Sequence, residues 1–448
     1  MKRLIQKMAT SLALIVIVAL GARIAFAWDQ ARKVPEGVLG IVPFQNEVGN
    51  IAYALAQGKG FSNVFRMETG PTAWLTPVYP LLVAGTFKAF GAFTERAFYA
   101  CVALNVLFSA VACVPIFYAG RRIAGLGVAS GAAWLWALFP SAIMMPFEWI
   151  WDTSLSALLA AALLWATLAV AESERVRDWC GYGLLWGLSL LTNPALGALL
   201  PFLLGWAAFR GRGESGARWK RAAMAVGVTI LCCLPWTIRN YAAFHRLIPL
   251  RSNFPLELWL GNNDIFNPHA RNGLRSITRM EEARTYAQLG ETEFMHEKWK
   301  VATTFMRENP GLEMQLTWDK FVAFWIGTDS PVRDFQASHS LLIQGILIWN
   351  FVTAMGALIG LIVLWKEGSS AEQTSDRPAG RRAVRKERAE KNEAENKISY
   401  AIPLGAFPIV SPCLYYVTHA YLRFREPIDP VVLLLAAVAV WRVARRAK

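Results

Sequence analysis

Apolar runs of membrane-spanning length recur along almost the whole chain, beginning with LALIVIVALGARIAFA at 12–27. A helix needs about 20 predominantly apolar residues to cross a hydrocarbon core ~30 Å thick. Backbone polar groups in lipid must be satisfied within the segment, which leaves helices as the form for such runs. Of the 448 residues, 55% are hydrophobic, too many for a soluble domain of this size to bury. The expected fold class is an all-α polytopic membrane protein.

The formal charge of +14 does not point to nucleic acid. Lys and Arg collect in short loops beside apolar runs, the pattern of topology signals and not of a phosphate-tracking groove. The six cysteines lie in or beside apolar segments with no CxxC pair, and the five histidines show no HExxH spacing. Neither a disulfide framework nor a metal site is expected, and no cofactor is implied.

The basic-loop rule orders the runs into about ten spans. Lys2, Arg3 and Lys7 place the N-terminus inside, and span 1 (9–27) crosses outward. Residues 1–27 also have the composition of a secretory signal, and either way Trp28 emerges outside. Residues 28–93 form a first outer loop, with PVYPLLVAGTFKAFG as a juxtamembrane or re-entrant helix too short to span. Spans at 95–120, 125–144 and 153–171 follow, Arg121 and Arg122 lying inside and PFEWIWD outside. The run 180–209 starts and ends at basic inside loops, which requires a hairpin, and Thr192 to Pro194 supplies its break. A span at 220–236 exits, residues 237–340 form an extracytoplasmic domain with two amphipathic helices, and 341–365 returns. The linker 366–397 alternates charges with no apolar face and reads as disordered or as a solvated helix. Spans at 399–418 and 428–442 complete the chain. The organisation is thus 1–236, 237–340 and 341–448.

One loop breaks the rule: RFREP puts Arg423 and Arg425 outside. They share that face with Glu47, Glu148, Asp152 and Arg239. An interfacial carboxylate can deprotonate a hydroxyl, and arginine forks can hold a phosphate. Each also has a plainer reading. Glu47 can be simply solvated, Asp152 can cap the helix that starts at Thr153, and the arginines can snorkel to headgroups. Asn262 and Asn263 offer amides to a sugar or phosphate, or merely make a turn. Trp74, Trp149, Trp151, Trp236 and Trp259 read first as an interfacial belt. Gly58 and Gly60 make no nucleotide loop.

The blocks NEVGNIAYALAQGKGFSNVF, GPTAWLTPVYPLLVAGTFKAFG, WIWDTSLSALL, GLLWGLSLLTNPAL, PWTIRNYAAFHRLIPLRSNFPLELWLGNN and RFREPIDP, in that order, resemble bacterial family 39 glycosyltransferases of the GT-C superfamily. Relatives include protein O-mannosyltransferases and lipid A aminoarabinose transferases. The resemblance runs over about 10–435 and omits the linker. It implies a GT-C helix bundle in the inner (plasma) membrane. The implied partners are a polyprenyl-phosphate-sugar donor, an envelope glycan, lipid or protein acceptor on the extracytoplasmic side, and membrane lipids. It implies Glu47 as catalytic base, with Asp152 or Glu148 sharing its work. Many members carry a second acid just before this position, where this chain has Phe44, Gln45 and Asn46. Arg423 and Arg425, and Arg239 beside them, inherit the phosphate-holding role. The rival is a multispanning transporter or lipid flippase, which usually keeps ionisable residues near mid-membrane and repeats one half of its fold. Neither sign is legible, with Arg23 and Lys88 reading as residues near segment ends.

Overall fold

The structure is a computed structural model that describes residues 9–263, 280–328, 341–372 and 400–446. Lys2, Arg3, Lys7, His269, His339 and the linker beyond Glu372 lie outside the described residues. Every regular element among the described residues is helical. Seven helices are long and apolar enough to cross a membrane: Leu12–Ala31 (α1), Glu95–Ala124 (α4), Thr153–Val170 (α7), Ser215–Phe244 (α10), Gln344–Lys366 within Leu341–Glu372 (α15), Tyr400–Val417 (α16) and Leu422–Arg445 (α17). The pair Leu126–Ala137 (α5) and Pro140–Glu148 (α6), bent by 41°, makes an eighth if it is one span. Between them lie Glu47–Ala56 (α2), Val78–Phe90 (α3), Val176–Thr192 (α8), Leu200–Arg210 (α9), Phe254–Gly261 (α11), Met280–Leu289 (α12), Glu291–Glu308 (α13) and Pro310–Ile326 (α14).

The hairpin required by the charge pattern is present. Asn193 interrupts the chain between α8 and Pro194, where a proline removes a backbone donor and stops the helix. Nδ2 of Asn193 donates to Ser156 Oγ at 3.3 Å, one turn into α7. At the far end of α7, the backbone N–H of Arg212, just past α9, donates to Ala171 O at 3.1 Å. Both arms therefore run beside α7 and end together. Each arm has fewer residues than the seven long spans, and neither is among the helices long and apolar enough to cross a membrane.

Basic side chains close that end of the bundle. Arg122 donates to Leu168 O and pairs with Glu172, and Arg221 donates to Glu174 O. The interior holds another arginine: Arg23, read as lying near a span end, is fully buried. It donates to Ser109 Oγ and to the carbonyls of Ala19, Trp136 and Ala137, so neutral acceptors satisfy its donors across three helices.

Within the expected domain 237–340, α11 precedes three described helices over 280–326 where the periodicity suggests two, because Gly290, at φ +75°, ends α12 before α13 begins. Glu291 ties this region to the first loop. Its buried carboxylate accepts from Thr72 Oγ1, the Ala73 N–H, Ser252 Oγ and Tyr286 Oη at 2.5–2.8 Å. Trp74, Trp236 and Trp259 are buried here as core side chains and are not an interfacial belt. Indole N–H of Trp236, for example, donates to Leu250 O. In the linker, the helix of α15 continues to Glu372.

Candidate active site

At the end of the bundle away from Arg122 and Arg221, a cleft with an empty volume of ≈ 1380 Å³, counted out to solvent, is lined by Glu47, Asp152, Asn193, Arg251, Glu257, His419 and Arg423, with Trp74, Trp151 and Tyr421 among its aromatic walls. Six separate parts of the sequence meet there.

Glu47 is the first residue of α2, where the unpaired N–H groups and dipole of a helix favour a negative side chain. Asn46 builds that start: its Oδ1 accepts from the Gly49 N–H at 2.9 Å while its Nδ2 donates to Pro43 O at 2.8 Å. The turn folds so tightly that a Cβ on Gly49 would lie 2.0 Å from the carbonyl oxygen of Phe44. Gly49→Ala should therefore shift the turn that aims Glu47. The expected cost is about 1–3 kcal/mol with a loss of activity. Gly85→Ala in α3, where a Cβ meets nothing, should leave activity unchanged and raise stability by up to about 1 kcal/mol. Thermal unfolding and turnover of the two variants check this.

Asp152 occupies the residue before α7 without capping it. Its Oδ2 accepts from Ser156 Oγ at 3.0 Å, and Asn193 donates to the same hydroxyl, so a polar chain holds the carboxylate at the cleft wall. Burial pushes the Asp152 carboxyl up, while Ser156 and the charges of Arg251 and Arg423 pull it back. Glu148 stands apart: it ends α6, is exposed, and is not in the cleft lining.

The expected arginines divide. The guanidinium of Arg423 sits 4.5 Å from the ring centre of Trp149 and 5.0 Å from those of Trp151 and Phe424, an aromatic cage that fixes it at the cleft. Trp149 and Trp151 thus serve this cation. Arg425 points elsewhere: fully buried, it donates to Asp429 Oδ1 at 2.7 Å, to Asn350 Oδ1 at 2.9 Å and to Trp325 O. Every nitrogen of its fork is engaged inside the protein, and it does not line the cleft. Arg239 is likewise spent on structure, clamping the first loop through Thr72 O and Phe61 O and lying over the rings of Phe61 and Trp236.

Asn262 and Asn263 are buried and make the turn that ends α11. Asn262 Nδ2 donates to Leu258 O and Val417 O at 2.8 Å, and Asn263 Nδ2 donates to Trp259 O at 2.6 Å. Neither lines the cleft.

The residues that sequence reasoning missed are Arg251, Glu257, His419 and Asn193. Glu257 Oε2 lies 3.2 Å from His419 Nδ1, and its Oε1 accepts from Asn253 Nδ2 at 2.7 Å. They come together because α11 presses onto the turn before α17: a Cβ on Gly261 would fall 1.7 Å from Thr418 O. The available signal was the arginine of IPLRSNFP, seven residues past the end of α10.

Residues 74–238 match the family described as dolichyl-phosphate-mannose-protein mannosyltransferase. The whole bundle superposes on the archaeal oligosaccharyltransferase AglB from Archaeoglobus fulgidus, in complex with an inhibitory peptide and a dolichol-phosphate, with a TM-score of 0.53 at 13% identity. That match covers 98% of this chain and 51% of the other. The chain has the GT-C fold. The apo form of the Archaeoglobus fulgidus oligosaccharyltransferase gives a TM-score of 0.52 at 13% identity over 97% of this chain and 51% of that one. The chain thus spans about half the length of the structures it matches. ArnT from Cupriavidus metallidurans in the apo state gives 0.35 at 14% identity, over 94% of this chain and 78% of that one. None of the curated proteins matches the chain in sequence. Within the GT-C fold the cleft lies where the first loop, the hairpin tip and the start of the last span converge.

Proposed function

We propose that the protein is a membrane glycosyltransferase that moves a sugar from a polyprenyl-phosphate donor to an envelope acceptor on the extracytoplasmic side. The observation that carries this reading is the presence of Glu47, Arg251 and Arg423 in one cleft, at the end of the bundle opposite its basic rim. The basic-loop rule assigns that rim to the cytoplasm and so turns the cleft outward. The AglB complex contains a dolichol-phosphate, which supports a lipid-phosphate donor on the same fold.

The reaction is a single displacement with inversion at the anomeric carbon. Glu47 takes the proton of the acceptor hydroxyl as its oxygen forms the new bond, and the bond from the anomeric carbon to the phosphate oxygen breaks. Arg423 and Arg251 hold the charge left on the polyprenyl phosphate, Arg251 replacing Arg425 in the role the sequence suggested. The cleft joins a lipid-borne donor and an aqueous acceptor in a positioned pair.

Asp152 keeps the two arginines in place as an anion. Its raised pKa means that it takes up a proton at a higher pH than a solvated aspartate does, so kcat/KM falls on acidification from above the usual range near 3.9. Asp152→Asn should lower kcat/KM and remove the contribution of Asp152 to that limb. A pH–rate profile of both proteins checks it.

Mass spectrometry of envelope glycolipids and glycoproteins with and without the gene tests the function. Loss of one sugar from one acceptor class is expected, and an unchanged glycan profile would refute the assignment. The transporter reading draws on the buried Arg23, and substrate movement into liposomes without glycosylated product would favour it.

A further inference from the structure

Helix α14, part of the segment expected to form an extracytoplasmic domain, buries a charged side chain beside Leu316, Ala323 and Phe324 and exposes a stripe of large apolar ones. Lys320 is 3% exposed and donates to Asn262 Oδ1, with Glu313 Oε1 3.5 Å away on the same inward side. On the opposite face Met314 is 74% exposed and Trp318 63%, and Phe321 continues the stripe with its ring stacked on Trp318 at 5.3 Å. A helix in water turns such residues the other way round.

The depth of the helix supplies an independent observation. Its last carbonyl, Ile326 O, accepts from Asn350 Nδ2 at 3.0 Å. Asn350 lies six residues inside the apolar span Gln344–Lys366, about 9 Å along that helix at 1.5 Å per residue. Helix α14 packs on α15, on which Phe351, Met355 and Leu358 are likewise exposed.

We infer that α14 is embedded in the membrane leaflet at the cleft end, with Met314, Trp318 and Phe321 against lipid chains and Lys320 and Glu313 against the protein. The helix forms the lipid-side wall of the cleft. Phe321 meets Tyr416 at 5.4 Å, Phe324 stacks on Tyr415 at 5.6 Å, and Tyr415 stacks on Phe424 at 4.9 Å. Tyr415 and Phe424 line the cleft itself. The helix with the rings of Phe324 and Tyr415 separates bilayer from site, which is where the isoprenoid chain of a lipid-phosphate donor would lie. This last step rests on the proposed function, and the placement of the helix does not.

Hydroxyl-radical footprinting of the full chain in lipid nanodiscs tests the placement. Met67, on the first loop and 37% exposed, reports water, and Met355, 39% exposed on α15, reports lipid. In water Met314 would oxidise faster than Met67. The expected result is oxidation at least about tenfold slower than Met67 and equal to Met355. Oxidation as fast as Met67 overturns the placement. For the donor, Trp318→Lys should raise KM for a long-chain polyprenyl-phosphate sugar severalfold while leaving kcat, and should leave a two-isoprene analogue unaffected. Equal effects on both donors, or none, overturn the wall role. Absence of transfer by the unaltered protein from either donor counts against the enzyme assignment and leaves the footprint decisive for the helix.

Discussion

Glu47→Gln should lower turnover by about 10²–10⁴ while the protein still inserts and unfolds at its usual temperature. That range is the usual worth of a positioned general base. Glutamine keeps the length and hydrogen-bonding shape of the side chain and removes only its capacity to take a proton. The backbone of this turn is held by Asn46 and by the close approach of Gly49 to Phe44, both of which the variant keeps. Single-turnover transfer from a synthetic lipid-phosphate sugar, measured beside a melting curve, separates chemistry from folding. Near-normal transfer by the variant would dismiss Glu47 as the base.

The second large effect distinguishes two arginines that stand two residues apart. Arg425→Ala should destabilise the protein by about 3–5 kcal/mol, because it leaves Asp429, 1% exposed, as a buried carboxylate without its ion partner. Arg423→Ala should leave the melting temperature nearly unchanged and weaken binding of a polyprenyl phosphate. A hydrogen bond between charged groups is worth about 1.5–3 kcal/mol, so the expected loss is about tenfold or more. Melting temperature and lipid-phosphate affinity of the two variants should therefore move in opposite patterns. A phosphate-binding loss confined to Arg425→Ala would reverse the assignment.

This pair also shows where the sequence stops being legible. Residues i and i+2 on a helix face different ways, so Arg423 and Arg425 could not both enter one cleft once RFR became helical. The i, i+4 spacing of Arg425 and Asp429 was the local sign of an internal ion pair. The membrane bundle was legible because apolar length and basic loops act locally: the hairpin between two basic loops, broken at Asn193 and Pro194, follows from charge and proline chemistry alone. Glu47 in the first loop and Asp152 before α7 were visible for the same reason. Arg251, Glu257 and His419 were not, because they meet only when α11 packs on Thr418, a contact that the glycine at 261 permits but does not announce. Arg239 illustrates the converse. A basic residue at the end of an apolar span suggested a headgroup or phosphate, yet its donors meet the carbonyls of a loop about 170 residues earlier. Which face of α14 turns inward was not legible for a further reason: its periodicity is amphipathic whichever face meets the protein, and the burial of Lys320 with Leu316, Ala323 and Phe324 sets which one does.

The central claim is that the cleft between Glu47 and Arg423 receives a lipid phosphate. A polyprenyl phosphate carrying a photoreactive group on its first isoprene unit, activated in nanodiscs with the full chain, tests it most directly. Labelled peptides should contain Arg251 and the 421–424 segment, and labelling should fall at least about tenfold in the Arg251→Ala, Arg423→Ala double variant. Labelling that persists in the double variant, or that maps to the loop held by Arg239, would contradict the account.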